Sequence, residues 1–329
     1  NTMDEDAAPL LARHDLDGVF IGTRCPLHTP LACRVLKTGM PLFLEKPVCI
    51  SREQYEALRE AGRGQEKRVV VSFPLRFSTI TLEMEKLARS GSLGRLTMVQ
   101  AVNNVPYGSV YYHSWYRDPA ETGGLFLQKA THDIDYIHFL TGERPVSVCA
   151  KTAKLHFKGD RPAGLHCPDC PDYRTCPVKQ LRGKKHFEGR CPGRRLLLCL
   201  RHRQRGRRQR HFHNGKRHAD QLQPEFCCKK RAPGGAAHGL SVPRAARNFD
   251  FYTAEIRVDR YLSPQTVTHK FNFPAGMHFG GDEMLALDFL RVLDGGEARS
   301  DLSAGLVSAA SCLAARQADA EGRFLSIEY

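Results

Sequence analysis

The tripeptide Glu45-Lys46-Pro47 carries the first chemical signal in this sequence. It directly follows a short apolar run over residues 41–44, and ligands of open α/β sheets bind just beyond the carboxyl ends of such strands. A lysine there can have its pKa lowered by burial, or can stay charged and donate to a substrate hydroxyl. The proline after it restricts the backbone and can form a cis peptide bond. The simpler alternative is a surface lysine beside a turn.

Three polar residues share one face of a predicted helix over residues 125–140. Gln128, His132 and Asp135 stand at positions i, i+4 and i+7, and a Gly123-Gly124 pair precedes them. Polar groups on the core-facing stripe of a helix cost free energy unless they have partners, which indicates a site. One buried histidine alone is more often structural, but three aligned polar residues favour function.

The elements around Lys46 alternate between strand and helix. Strands are predicted at 18–23, 41–44 and 69–73, and helices at 30–38 and 51–61. Gly39 stops the first helix, and Ser51 caps the second with Gln54 at the capping-box position. This alternation predicts a doubly wound parallel sheet with helices on its faces.

A second domain is expected from residue 78 onward, because a chain of 329 residues exceeds the usual size of one domain. Its predicted helices are 78–89, 125–140, 281–294 and 301–320, and its predicted strands are 96–103, 146–157, 249–258 and 265–273. The last two strands alternate as those of an antiparallel sheet do. We therefore expect two domains, 1–77 and 78–329, that share one cleft.

The net charge of +14 is concentrated in one segment. Residues 182–247 contain 19 lysines and arginines against three acidic residues, and they show neither strand nor helix periodicity. Three interpretations stay open: out-of-frame translation of GC-rich DNA, which we favour, a flexible surface insertion, and a basic arm for nucleic acid. The last is the weakest, because the segment has three phenylalanines, too few for a base-stacking platform.

Three of the twelve cysteines form a tight group, Cys167, Cys170 and Cys176. Their spacing resembles that of metal ligands, and a structural zinc would need a fourth ligand such as His166 or Cys191. Reduced thiols in a loop over 165–180 are the alternative that we favour. Many of the other cysteines are scattered singly through apolar runs and are expected to be buried thiols: Cys33, Cys49, Cys149 and Cys312. A disulfide scaffold is not expected in a chain of this length.

No apolar run reaches the roughly 18 residues that a membrane helix needs. The acidic start of the sequence is unlike a secretory signal. We therefore expect a cytoplasmic protein.

Several motifs occur in a fixed order along the chain. They are Asp17-Gly18-Val-Phe-Ile-Gly-Thr, His28-Thr-Pro, Phe-Leu-Glu45-Lys46-Pro47, Arg76-Phe77, Gly123-Gly124 followed by His132-Asp133-Ile-Asp135, and Gly280-Gly281-Asp282. Together they resemble the Gfo/Idh/MocA family of oxidoreductases. The resemblance covers residues 5–180 and 249–329, and as an ordered set it is highly specific.

The resemblance implies an α/β fold: a Rossmann-type doubly wound parallel sheet, then an α/β domain with an open, mainly antiparallel sheet. It implies an NAD- or NADP-dependent oxidoreductase that moves hydride between nicotinamide and a hydroxyl or carbonyl of a sugar, cyclitol or related polyol. Relatives associate through the open sheet face, which implies a homodimer or homotetramer. The alternatives are a redox-neutral NAD-dependent glycosidase of the same fold, a nucleic-acid-binding protein and an inactive copy.

By position, the resemblance gives the handling of the substrate proton to Lys46 and His132, with Gln128 beside them. The cofactor-binding residues that it implies are Thr23, Arg24, His28, Glu45, Lys46 and Pro47. The substrate residues that it implies are Arg76, Trp115, Arg117, Lys129, Asp135 and His278.

The sequence departs from the family pattern at two points. Gln128 stands where relatives often have an aspartate, and an amide can orient a hydroxyl but cannot take its proton. No G-x-G-x-x-G phosphate turn follows any predicted strand. We therefore expect the first strand–turn–helix–strand portion of the dinucleotide-binding domain to be missing from this sequence.

Overall fold

The computed structural model describes residues 8–13, 15–90, 98–103, 111, 115–153, 165, 169–175, 207–214, 218–223, 237–242, 245–251, 253–260, 264–272 and 277–329. Its first sheet consists of strands β1 (Val19–Ile21), β2 (Leu42–Leu44) and β3 (Val69–Val71), which are parallel and adjacent in that order. Every residue of β2 and β3 is buried, as expected for a parallel sheet covered on both faces. The predicted parallel sheet is confirmed.

The α-helices among the described residues are α1 (Ala8–Leu11), α2 (Cys25–Leu36), α3 (Arg52–Ala61), α4 (Thr79–Arg89), α5 (Pro119–Thr122), α6 (Thr131–Thr141), α7 (Gly281–Leu293) and α8 (Leu302–Glu321). Helix α2 begins at Cys25, earlier than predicted, because Pro26 fits the first turn, where its missing N–H costs no bond. The predicted cap of α3 is confirmed. Ser51 Oγ accepts from Gln54 N at 3.2 Å.

The second sheet is open and mainly antiparallel, as the resemblance implied. Its described strands are β4 (Met98–Val102), β5 (Pro145–Ala153), β6 (Arg207–Asn214), β7 (His218–Gln223), β8 (Ala237–Val242), β9 (Ala245–Asp250), β10 (Glu255–Arg260), β11 (Thr266–Lys270) and β12 (Leu325–Ser326). They lie in the order β11-β10-β9-β8-β4-β7-β6-β5-β12, and β4 and β7 form a parallel pair.

Two predictions about this sheet are wrong. The basic segment 182–247 was expected to contain no regular element, yet β6, β7, β8 and the first half of β9 lie within it. Pairing with the neighbouring strands β5 and β4 supplies the backbone hydrogen bonds, so these strands form without an alternating pattern. The predicted strand 249–258 is two strands, since the chain turns between Asp250 and Glu255 to pair β9 with β10.

Helix α8 joins the two sheets through a shared core. Small residues such as Gly305 and Ala309 line it, and most of its length is buried. Gly305 packs against the side chains of Val48 and Val71 beside the parallel sheet. At its other end, Asp319 Oδ1 accepts from Thr152 N of β5 at 2.6 Å. The helix thereby fixes where the carboxyl ends of β1–β3 meet the second domain.

None of the helices in the described part of the chain is long and apolar enough to cross a membrane.

Candidate active site

Lys46 lies at the carboxyl end of β2 and reaches into the second domain. Glu45 N donates to Ile21 O at 3.0 Å, which continues the β1–β2 ladder up to the lysine. The Lys46–Pro47 peptide bond is cis. Lys46 Nζ donates to the main-chain oxygen of Gln128 at 2.8 Å and to its Oε1 at 3.2 Å. The sequence-predicted residues Lys46 and Gln128 are therefore in contact.

The environment of Lys46 disfavours its charged form. Burial lowers the pKa of Lys46 to about 8, and the nearby charge of Lys129 acts in the same direction, while Glu45 opposes it. The two oxygen atoms of Gln128 that accept from Lys46 Nζ are neutral. Among the described contacts, no hydrogen bond to a carboxylate stabilises the charged form of Lys46 and raises its pKa again. Lys46 can consequently exist in both protonation states near neutral pH.

Gln128 and His132 are presented by an irregular helical segment. Residues Phe126–Ala130 form a π-helical turn, and α6 continues from Thr131 to Thr141. The prediction of one regular helix over 125–140 is thus wrong in its first turn, although the predicted stop near Gly142 is confirmed. π-Helical turns occur frequently at functional sites because the wider turn redirects side chains.

His132 is a buried imidazole with an unused ring nitrogen. His132 is 6% exposed, and its Nδ1 atom has no hydrogen-bond partner among the described residues. Burial holds the pKa of His132 well below its usual range, and Lys46, Lys129 and His278 reinforce that shift. The ring packs edge-to-face on Phe73, with the centroids 6.0 Å apart. His132 is therefore a neutral group that can bind a hydroxyl.

His278, predicted as a substrate residue, lies beside His132. The centroids of the two rings are 6.0 Å apart. Its Nδ1 contacts Asp282 Oδ1 at 2.9 Å, and this aspartate lies in the first turn of α7. The structure thus brings His278 to the same crevice as Lys46, Gln128 and His132.

Two of the residues predicted to bind cofactor hold loops together. The His28 ring lies between the carbonyl oxygens of Pro47 and Thr23, at 2.8 Å from Nδ1 and 3.0 Å from Nε2. Glu45 Oε1 accepts from Ser72 Oγ at 3.0 Å, across the ends of β2 and β3. These contacts fix the edge of the parallel sheet.

Arg24 and Trp115 form a second part of this edge. The guanidinium of Arg24 lies 4.0 Å from the centroid of the Trp115 ring, and Trp115 stacks on Tyr116 with centroids 4.1 Å apart. Thr23, next to Arg24, is exposed. Sequence reasoning missed Tyr116, which was one aromatic residue among several in its loop.

Arg76 and Asp135, both predicted to bind substrate, bind each other instead. Arg76 Nε and Nη2 donate to Asp135 Oδ2 and Oδ1, each at 2.7 Å, and both side chains are buried. Burial raises the pKa of Asp135 to about 6, although Arg76 opposes the rise. This bidentate ion pair joins the segment after β3 to α6. We therefore assign it a structural role at the junction of the two domains.

The other two predicted substrate residues are largely withdrawn from solvent. Arg117 is 6% exposed. Lys129 is half-buried one residue beyond Gln128, and burial lowers its pKa. Both lie on the elements that carry Trp115 and His132.

Arg316 is a site-building residue that the sequence did not reveal. Its Nη1 donates to Ile50 O at 3.1 Å and to Gly123 O at 3.0 Å. These carbonyls belong to the loop after Lys46 and to the glycine pair before Gln128. Arg316 follows them by more than a hundred residues in a helix of small residues, and no local pattern singles it out.

Two family profiles match this chain, one over the region of the first sheet and one over part of the second domain. The profile described as "Oxidoreductase family, NAD-binding Rossmann fold" matches residues 3–73. The profile described as "GFO/IDH/MocA C-terminal domain" matches residues 81–167. This chain belongs to the Gfo/Idh/MocA family.

Curated relatives of this family member include two inositol dehydrogenases. Inositol 2-dehydrogenase of Rhizobium meliloti (strain 1021) is 30% identical over 153 residues, which are 46% of this chain and 45% of that protein. The scyllo-inositol 2-dehydrogenase (NAD(+)) of Bacillus subtilis (strain 168) is 26% identical over 152 residues, 44% of this chain and 41% of that protein. The matched region thus spans less than half the length of these relatives.

Solved structures of proteins named as oxidoreductases share the fold of this chain. Levoglucosan dehydrogenase in complex with NADH and levoglucosan has a TM-score of 0.75 at 16% identity, covering 99% of this chain and 84% of that one. The aldose-aldose oxidoreductase of Caulobacter crescentus, complexed with glycerol, has a TM-score of 0.66 at 18% identity. The match covers 97% of this chain and 81% of that one. At these identities the likeness shows the fold alone.

The crevice of this Gfo/Idh/MocA protein fits a nicotinamide cofactor. Two nitrogen atoms, Nη1 of Arg24 and Nδ1 of His132, are buried without a hydrogen-bond partner within the described part of the chain. Buried polar atoms are nearly always paired, so unpaired ones beside the ends of β1 and β2 indicate the position of a bound group. The family profile that matches this part of the chain is described as NAD-binding.

The zinc prediction finds no support. Cys167, Cys176, His166 and Cys191 lie outside the described residues, and Cys170 is a buried free thiol. No cluster of three potential metal ligands occurs within the described ranges.

Proposed function

We propose that this protein is an NAD(P)-dependent oxidoreductase that acts on a secondary alcohol of a sugar or cyclitol. The observation that carries the proposal is the contact of Lys46 with Gln128 at the carboxyl ends of parallel strands, beside the buried His132, whose Nδ1 atom has no hydrogen-bond partner among the described residues. An amine whose pKa is about 8 next to a neutral imidazole suits transfer of a hydroxyl proton.

The cofactor would lie against the ends of β1 and β2. Thr23, Arg24 and Glu45 stand at these ends and would contact it, while His28 holds their loops at a fixed separation. When bound, nicotinamide accepts a hydride from the carbon that bears the hydroxyl. The protein's own task is to orient that hydroxyl and to take its proton.

Lys46 is the group that takes the proton. In its neutral form Nζ accepts the proton of the substrate hydroxyl, and the oxygens of Gln128 stabilise the ammonium that results. His132 stays neutral because burial and three neighbouring cationic or titratable groups oppose its protonation. It therefore orients the substrate oxygen through a hydrogen bond. In the reverse direction the Lys46 ammonium returns the proton to the carbonyl oxygen.

The printed names of relatives support the substrate class that we propose. Proteins named for inositol and levoglucosan act on ring compounds that carry several hydroxyl groups. Hydrogen-bonding groups near Lys46, among them Gln128 and His132, suit several hydroxyls on one ring.

The test uses the chain with NAD⁺ or NADP⁺ and, in turn, myo-inositol, scyllo-inositol and levoglucosan. We expect net formation of reduced cofactor with at least one of them. Lys46→Met should lower kcat by about 10²- to 10⁴-fold and leave the fluorescence-detected binding of NADH nearly unchanged. Lys37→Met, at the exposed end of α2, is the matched control.

Three outcomes contradict the proposal in different ways. Release of sugar from a glycoside without net reduced cofactor would identify the redox-neutral glycosidase. Salt-sensitive DNA binding without turnover would favour the nucleic-acid alternative. Absence of both NADH binding and turnover would identify an inactive copy.

A further inference from the structure

His278 and Asp282 form an oriented pair at the start of α7. The Nδ1 atom of His278 lies 2.9 Å from Asp282 Oδ1 and 3.0 Å from Oδ2. A carboxylate only accepts, so Nδ1 carries the proton and donates it, which leaves the Nε2 lone pair on the opposite side of the ring. The aspartate thereby fixes both the tautomer and the orientation of the imidazole.

The backbone holds His278 in an unfavourable conformation. His278 and Phe279 both have left-handed dihedral angles, with φ of 48° and 58°, and Gly280 follows with φ of 81°. Such angles are unfavourable for non-glycine residues and persist where the surroundings enforce them. Non-glycine residues in this region occur often at functional sites.

Two contacts enforce this conformation. The Phe279 ring stacks on Phe251, with centroids 5.0 Å apart. Gly281 lies so close to Pro74 that a Cβ atom would collide with the Pro74 carbonyl oxygen. Since Pro74 lies three residues after β3, the junction of the two domains sets the position of His278.

The pair connects a buried group with solvent. His132 is 6% exposed, and its Nδ1 atom has no hydrogen-bond partner among the described residues. The His278 ring centroid lies 6.0 Å from that of His132, a separation that one hydroxyl or water can bridge. The side chains of His278 and Asp282 are 33% and 46% exposed. Exposure therefore rises along the series His132, His278, Asp282.

We propose that His278, oriented by Asp282, conducts the reaction proton between the buried His132 and solvent. The inference rests on the proposed function. In oxidation the carbinol carbon loses a hydride to NAD(P)⁺, and the hydroxyl proton passes to Lys46. The Lys46 ammonium must lose that proton before the next turnover. His132, in its Nδ1–H form, accepts this proton at Nε2 while Nδ1 releases its own proton through a bridging water to Nε2 of His278. The His278 imidazolium, stabilised by Asp282, gives a proton to bulk water. Return of His132 to the Nδ1–H form completes the cycle.

The first test removes the imidazole without disturbing the backbone. Asparagine tolerates left-handed dihedral angles, so His278→Asn keeps the local fold. We expect kcat for polyol oxidation to fall about 10²-fold with KM little changed, and added imidazole to restore much of it. His269→Asn, on the exposed edge strand β11, should leave kcat unchanged.

The second test asks whether Asp282 sets the tautomer of His278. In wild type, ¹⁵N NMR of the histidine rings should show the Nδ1–H form for His278, and Asp282→Asn should weaken that preference and lower kcat. Glu283→Gln, on the same exposed helical turn, is the control.

The outcomes separate the relay from the proposed function. Full activity of His278→Asn, failure of imidazole to restore a lowered kcat, or an Nε2–H tautomer in wild type overturns the relay alone. A wild-type chain that oxidises no polyol overturns the proposed function, and the relay falls with it.

Discussion

At the scale of single residues, the site depends on groups that are held away from their usual protonation states. Lys46 and Lys129 have lowered pKa values because burial disfavours their charge, and the same cause keeps His132 neutral. Gln128 matters because an amide contacts Lys46 without adding a charge. The protonation of Lys46 is therefore set by burial rather than by an ion pair.

The pH dependence of the reaction should follow Lys46. Below its pKa of about 8 the amine is charged, and above it the amine is neutral. Oxidation requires the neutral form, so kcat/KM for oxidation should rise with pH and level off above about 8, whereas reduction should fall over that range. Steady-state rates in both directions measure this.

Lys46→Arg is the companion variant, because a guanidinium stays protonated throughout. Its oxidation rate should be low and should show no rise near pH 8. An unchanged profile in this variant would assign the titration to another group.

Gln128→Glu should shift the pH profile of kcat/KM for oxidation. The substitution keeps the shape of the side chain but places a carboxylate near Nζ of Lys46, and an opposite charge favours the ammonium. The midpoint of the oxidation profile should rise by about one to three pH units. Gln128→Met is the uncharged control and should not raise the midpoint; a rise in both variants would disprove the electrostatic explanation.

At the scale of elements, three segments meet around the reactive groups. The loop after β2 carries Lys46, and the π-helical turn before α6 carries Gln128. Helix α8 contacts the loop after β2 and the glycine pair before this turn through the Arg316 side chain. Cys312 Sγ donates to Phe126 O at 3.0 Å, and Ser308 Oγ donates to Thr131 O at 2.7 Å. Helix α8 therefore satisfies backbone carbonyls in and next to the π-helical turn.

Removing the Arg316 guanidinium should loosen this arrangement. Arg316→Met leaves the carbonyls of Ile50 and Gly123 without their shared donor, which should lower the free energy of unfolding by about 1–2 kcal/mol. We also expect a lower kcat, because the Lys46 loop and the π-helical turn lose their common tether. Urea denaturation and steady-state kinetics measure the two effects.

The control for this prediction is Arg323→Met, whose side chain is exposed and pairs with Glu321. Its stability should stay within about 0.5 kcal/mol of wild type. Equal losses in the two variants would show that the Arg316 bridge contributes nothing specific.

At the scale of the whole molecule, the two sheets share one core and one buried ion pair. The core runs from Leu44 and Val71 of the parallel sheet to Val148 and Phe249 of the second. Arg76 and Asp135 cross the junction with two hydrogen bonds of 2.7 Å. A buried pair of this kind fixes the relative position of the domains more than it adds net stability.

Breaking this pair on one side should be costly. Asp135→Asn leaves the Arg76 charge buried without its counter-ion, and we expect a loss of about 3–5 kcal/mol. The double variant Arg76→Met with Asp135→Leu should recover most of that loss, since apolar side chains of similar size fill the space. Thermal unfolding of the two variants measures the difference, and a double variant as unstable as Asp135→Asn would contradict this explanation.

Much of the fold was accessible from the sequence alone. Apolar runs predicted β1, β2 and β3, and the Ser51–Gln54 pair predicted the start of α3, because short-range sterics and hydrogen bonds determine such features. The motif order predicted the family and both sheet types. Lys46, Gln128 and His132 were also named correctly as neighbours, since strand ends and helix periodicity place them.

Only the tertiary structure decided how the remaining polar groups pair. Arg76 and Asp135 looked like substrate residues until the structure placed them opposite each other. The roles of Asp282 and Arg316 depend on contacts with groups that the helices bring together, and local patterns carry no information on such distances. The π-helical turn and the strands of the basic segment likewise depend on the neighbours that satisfy their backbones. The sequence by itself thus determined which residue types were present for proton transfer, and packing of distant segments determined which of them share the crevice.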